Sequence, residues 1–150
     1  MKLKDFDFRV WDKTKEAFLK QEPTLIKLDN ERVIAGRISR FYANTADIAD
    51  MFIGNGNDLE IELWTGYFDK NGNKIYENDI LKNVSLKEIY YITRNDTYKM
   101  LEIIIYDKDC NENLYKKKNP AGIELLKMLV SNKNMSVIGN IHENADLLEE

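Results

Sequence analysis

A chain of 150 residues with 43% hydrophobic residues is long enough for one full core and short for two, so a single domain spanning 1–150 is expected. A net charge of -4 argues against a general nucleic-acid coat, whose affinity comes from neutralising phosphates. The one cysteine, Cys110, excludes an internal disulfide framework and a multi-cysteine metal site, and in the polar run DKDCNENLYKKK it reads as a surface thiol.

The N-terminal MKLKDFDFRVWDK places acids where a signal peptide needs an apolar stretch, and no apolar run reaches the roughly 20 residues of a membrane span. A cytoplasmic protein, without membrane partners, is expected. Phe6 to Trp11 alternates at period two, with Phe6, Phe8 and Val10 on one face and Asp7, Arg9 and Trp11 on the other. That predicts a first strand, a turn at Asp12 to Lys15, and a return strand at Ala17 to Leu19. Pro23 separates this unit from a second hairpin, Thr24 to Leu28 with Arg32 to Ile34.

The period then changes. Ile48, Met51 and Phe52 share a helical face, with Asn44 or Thr45 as cap and Gly54 as stop, and Gly54-Asn55 and Gly56-Asn57 read as turns. The segment at about 37–57 therefore reads as a peripheral, partly helical insert that tunes partner choice. Leu59 to Leu63 alternates as a half-buried strand, and Ile75 to Val84 continues beyond a central hairpin. Asn71-Gly72 predicts a type I′ turn there, because both residues tolerate positive φ. Another hairpin tip falls near Thr93 to Asp96, and Leu101 to Tyr106 is apolar enough for burial on both faces. Pro120 suits a first helical position, so a helix is predicted over Ala121 to Val130, with Ile123, Leu126 and Val130 inward. Met135 to Ile141 is the last strand, in which Gly139 suggests a bulge.

Three blocks carry a recognisable pattern. The first is Phe8-Arg9-Val10-Trp11-Asp12. The second is Trp64-Thr65-Gly66-Tyr67-Phe68-Asp69-Lys70-Asn71-Gly72 with Ile75-Tyr76-Glu77-Asn78-Asp79-Ile80-Leu81. The third is Val137-Ile138-Gly139-Asn140-Ile141-His142-Glu143-Asn144 followed by Leu147-Leu148. In this order they resemble the YopX family of small phage and prophage proteins. Trp64 and His142 stand where that family usually has Tyr, and Asn78 where it has Gly; Asn78 keeps the tolerance for a left-handed backbone. The resemblance implies a mainly β (α+β) domain, barrel-like or sandwich-like, with antiparallel hairpins, one helix in the C-terminal half and the short helical insert. It carries no catalytic residues and no cofactor across, and it makes oligomers a reasonable expectation. The first and third blocks, both strand-like, are expected to pack together.

Asp69, Glu77, Asp79 and Glu143 could meet as a divalent-metal site for phosphodiester cleavage. Asp69 begins a turn and Asp79 a strand, however, where a carboxylate bonds nearby backbone. No HExxH, GxxxxGK or nucleophile elbow accompanies them. His142 lacks an orienting acid, since Glu143 beside it faces away, so a structural or interfacial ring is expected. Arg9 is expected to pair with Glu77 or Asp79, which makes the pattern of Arg9, Trp11, Asp12, Thr65, Gly66, Asp69, Asn71, Gly72, Tyr76, Glu77, Asp79, Gly139, Asn140, Glu143 and Asn144 a folding signature. Trp11, Trp64, Tyr67 and Tyr76 are read as cover for a small core, because surrounding acids repel phosphates. The leading expectation is a non-enzymatic accessory protein that self-associates or binds a host or phage protein. The alternatives are a nucleic-acid-binding regulator using Lys116 to Lys118 and a metal-dependent hydrolase.

Overall fold

Alternating apolar and polar residues, broken every few positions by Asn, Asp and Gly, favour short antiparallel strands over helices, and the fold is mainly β. The structure, a computed structural model, describes residues 6–20, 24–29, 32–38, 52–53 and 58–149. The chain divides into two compact units, Phe8–Glu62 and Met1–Asp7 with Leu63–Glu150.

In the Phe8–Glu62 unit, β1 (Phe8–Asp12) pairs antiparallel with β2 (Ala17–Phe18), setting Trp11 opposite Phe18. The turn between them is built by Asp12, whose Oδ1 accepts from the amides of Thr14 and Lys15 at 2.9 and 3.1 Å. β3 (Thr24–Asp29), β4 (Arg32–Ile38) and β5 (Phe52–Ile53) form a three-stranded sheet. Val10, Ala35 and Leu59 are the buried centre, with Phe8, Leu19 and Ile61 against them. Trp11 is buried, with its ring edge-on to Phe18 at 4.8 Å, in keeping with its reading as core cover. One expectation changes. Phe52 is in a strand, where pairing of Ile38 with Phe52 overrides the helical spacing. Pro23, the rest of the predicted helix with Ile48 and Met51, and the turns at 54–57 lie outside the described residues.

β6 (Leu59–Phe68) gives its first residues to that unit and Leu63 onward to the other. Beyond it come β7 (Lys74–Tyr76), β8 (Asp79–Asn83), β9 (Ile89–Arg94), β10 (Leu101–Lys108), β11 (Leu114–Lys116), β12 (Ala121–Gly122), α1 (Glu124–Ser131) and β13 (Met135–Asn140). The large sheet has the order β11-β10-β9-β8-β13, and β12 also pairs with β10. Its core holds Ile75, Leu81, Tyr90, Ile92, Ile103 and Met135, closed over by Leu126 and Leu129 of α1. β13 pairs with β8, whereas β1 is flanked by β2 and β6, so the first and third blocks share no sheet.

The predicted strand from Ile75 to Val84 is two strands. Asn78 takes φ +70°, and Asp79 Oδ2 accepts from the Tyr76 amide at 2.8 Å, so the chain turns from β7 into β8. The predicted helix also starts later. Ala121 and Gly122 pair with Ile103 and Glu102 instead, and this ladder keeps the backbone extended until Ile123. Gly139 does mark a bulge, at a register shift between Val137 and Gly139.

Of the Asn71-Gly72 pair only Gly72 has positive φ, +81°, so the turn is not type I′. Asp69 decides this. Its Oδ1 accepts from the amides of Asn71 and Asn73 at 2.9 and 2.8 Å, which winds Lys70 to Gly72 into a three-residue loop ended by a left-handed glycine. A Cβ at Gly72 meets no atom within 4 Å, so a substitution there reports backbone strain alone. Gly72→Val is expected to destabilise by about 1–3 kcal/mol in urea melts, and Gly72→Asn by much less.

Candidate interaction site

The central and C-terminal blocks meet at the outer edge of β13, whose one strand partner among the described residues is β8. A free strand edge invites pairing with other chains. Here the central loop covers it. Lys70 N donates to Met135 O at 2.9 Å, and Asp69 Oδ2 accepts from Val137 N at 3.0 Å, at the bulge. Further along, Asn140 N donates to Asn144 Oδ1 at 3.2 Å and Asn144 N to Asn140 O at 2.9 Å. Asn140 Oδ1 accepts from the amides of His142 and Glu143, both at 3.0 Å, and its Nδ2 donates to Glu143. Gly139 is required because a Cβ would stand 2.4 Å from Asn144 Oδ1. The third block is therefore a strand end that folds back on itself.

Asp69 carries the most bonds in this lock. Burial pushes its carboxyl up, but the amides of Val137, Asn73 and Asn71 and the side chain of Asn73 outweigh burial and hold it below the ordinary carboxylate value. The same loop occurs a second time, unnoticed in the sequence: Asp69-Lys70-Asn71-Gly72-Asn73 and Asp109-Cys110-Asn111-Glu112-Asn113. Asp109 accepts from the amides of Asn111 and Asn113 at 2.8 and 2.9 Å, and its own amide donates to Asn113 O. Led by the Asn113 amide, these bonds hold its carboxyl low as well. The spacing D-x-N-x-N was the available signal. Where Gly72 sits in one copy, the other forces Glu112 to φ +64°. Glu112→Gly is expected to gain roughly 0.5 kcal/mol in the midpoint of thermal or urea unfolding, since relief of left-handed strain exceeds glycine's entropy cost.

The remaining motif residues also hold the fold. Thr65 Oγ1 donates to Ile75 O at 2.7 Å, and Gly66 takes φ +90° within the irregular pairing of β6 and β7. Tyr76 Oη and Lys74 Nζ both reach Asp7 Oδ2, at 2.8 and 2.6 Å. Glu77 pairs with Arg94, each of its oxygens accepting from one guanidinium nitrogen at 3.0 Å, and it also accepts from the Leu63 amide. Arg9 is not its partner. Arg9 Nε instead reaches the fully buried Glu62 at 2.7 Å while its guanidinium lies over Phe18. Asp69, Glu77, Asp79 and Glu143 thus serve four separate local tasks. In the Lys116 to Lys118 run, Lys117 is taken by Glu88 and Asp107, and the Glu88 carboxylate raises its ammonium above the usual value. Cys110 is exposed, and His142 is half-buried.

What these bonds leave open lies at the two ends of β9 and β10. At one end the hairpin tip is closed by Asn95, whose Oδ1 accepts from the amides of Thr97 and Tyr98. Tyr98 and Met100 project there, 75% and 63% exposed. They border a cleft of about 220 Å³ that also takes in Glu102, Pro120, Gly122 and Glu124. Glu102 lies opposite Gly122 in the ladder, and the Glu124 carboxylate lies over Gly122 where a Cβ would be 2.3 Å from its Oε1. Two carboxylates therefore flank one glycine. At the other end a hollow of about 310 Å³ is lined by Lys82, Val84, Lys87, Ile89, Lys108 and Glu112. Lys108 pairs with Glu112 at 3.5 Å, while Lys82 and Lys87 have no ion pair among the described residues. Sequence reading missed this basic group, because Lys82 and Lys108 lie 26 positions apart and only strand pairing gathers them. No described helix is long and apolar enough to cross a membrane.

The family model described as YopX protein matches residues 7–149. No curated protein matches the chain. The chain is similar to the crystal structure of protein EF1440 from Enterococcus faecalis, at 22% identity and a TM-score of 0.48, over 96% of this chain and 98% of that one.

Proposed function

The chain belongs to the YopX family, and from that premise we propose that it is a phage or prophage accessory protein that acts without catalysis, by self-association or by binding a host or phage protein in the bacterial cytoplasm. One observation carries this reading: the polar motif residues described above are spent on turns, bulges, caps and ion pairs, while large apolar side chains stand exposed elsewhere. Val84, Leu86, Tyr98 and Met100 are all more than half exposed, at the two ends of one sheet. Such side chains favour a protein partner over a small substrate.

Sedimentation velocity over a wide concentration range tests the reading. A mass above that of one chain, or one that grows with concentration, supports self-association; a monomer throughout leaves binding of another protein as the only form of the proposal. The grouping of Lys82, Lys87 and Lys108 favours a second reading, a nucleic-acid-binding regulator. A gel shift at low salt that collapses steeply as salt rises would favour it over the first.

A further inference from the structure

The two ends of the large sheet differ in charge as well as in shape. The tip end offers the carboxylates of Glu102 and Glu124 below the exposed ring of Tyr98 and the thioether of Met100. Glu102 accepts a hydrogen bond from Asn95 Nδ2 at 3.1 Å, and Glu124 has no hydrogen-bond or ion-pair partner among the described residues. The opposite end offers Lys82 and Lys87 around the exposed side chain of Val84, with Ile89 as floor. Asp96 and Lys99 at the tip offset each other, as do Lys108 and Glu112 at the hollow. Two acids against two lysines therefore remain, each pair beside apolar side chains that project or line a recess.

Strand direction separates these surfaces. β9 runs from Ile89 at the lysine end to Arg94 at the tip, and β10 returns from Leu101 to Lys108. Six residues of strand span about 20 Å, too far for the two surfaces to meet within one unit. We propose that the tip of one copy docks into the lysine hollow of a second copy, with Tyr98 and Met100 against Val84 and Ile89 and the carboxylates of Glu102 and Glu124 facing Lys82 and Lys87. This rests on the self-association reading and gives it a mode. Because the two surfaces differ, the contact is head-to-tail, and each copy retains one free end. Such contacts make rings where the rotation closes and open chains where it does not.

Charge reversal on both sides tests the pairing. Glu102→Lys with Glu124→Lys makes both ends basic, and Lys82→Glu with Lys87→Glu makes both ends acidic. Each protein alone is expected to associate at least tenfold more weakly than the parent in sedimentation, and an equimolar mixture to regain association through the exchanged pairs. Tyr98→Ser with Met100→Ser, at exposed positions that need no repacking, is expected to weaken association to a similar extent. Undiminished association in all three variants would overturn the head-to-tail contact while leaving self-association standing. A parent protein that stays monomeric would overturn both. Association that is lost in each reversed protein but not recovered on mixing would also overturn the pairing of these two ends.

Discussion

Asp69→Ala is expected to destabilise the protein by about 3 kcal/mol or more. The carboxylate accepts from three backbone amides, of Val137, Asn71 and Asn73, and from the Asn73 side chain, and it is 7% exposed. Hydrogen bonds to a charged group are worth roughly 1.5–3 kcal/mol each, and solvent recovers part of that at the loop amides. The Val137 amide lies at the strand edge, so the variant is expected to aggregate as well. The pH dependence has a definite sign. The folded carboxyl titrates below its unfolded value of about 3.9, so its contribution is complete above that pH and is lost as pH falls through the lower, folded value. Asp69→Asn should therefore show a shallower loss of stability below about pH 4 than the parent. Urea midpoints from pH 2.5 to 7 check both statements, and parallel curves for the two proteins would refute the second.

Arg94→Ala is expected to cost about 2–3 kcal/mol. It removes the two-point guanidinium partner of Glu77, a largely buried carboxylate. Removing one member of a buried pair is worth about 3–5 kcal/mol, and the partial exposure of Arg94 reduces that. Arg94→Lys should recover less than half of the loss, because a single ammonium cannot serve both oxygens in a fork. Full recovery in a melting curve would show that charge alone matters there.

The sequence was most informative where a residue acts on its immediate neighbours. Asp12, Asp69 and Asn140 each bond amides two to four positions away, so the turns they make are readable from composition and order. The bulge at Gly139 was readable in the same way, although its cause, Asn144 folded over the glycine, was not. Ion-pair partners were misread because they are set by sheet order. Arg9 and Glu62 are 53 positions apart and Glu77 and Arg94 are 17, and no local period links either pair. The helix start at Pro120 was overridden by pairing with β10, a case of tertiary contacts outweighing local preference. Asn71-Gly72 taken alone favours a type I′ turn, but Asp69 in front of it draws in the amides of Asn71 and Asn73 and makes a three-residue loop.

The second and third blocks form a lock that closes the β13 edge from within the chain, and residue-resolved amide hydrogen exchange reads that lock bond by bond. The amides of Lys70, Val137, Asn140 and Asn144 should be protected, with Val137 approaching the protection of core amides such as those of Ile92 and Ile103. Exchange of Val137 and Lys70 at the rate of freely exposed amides would contradict the lock, and with it the reading of these blocks as a folding device.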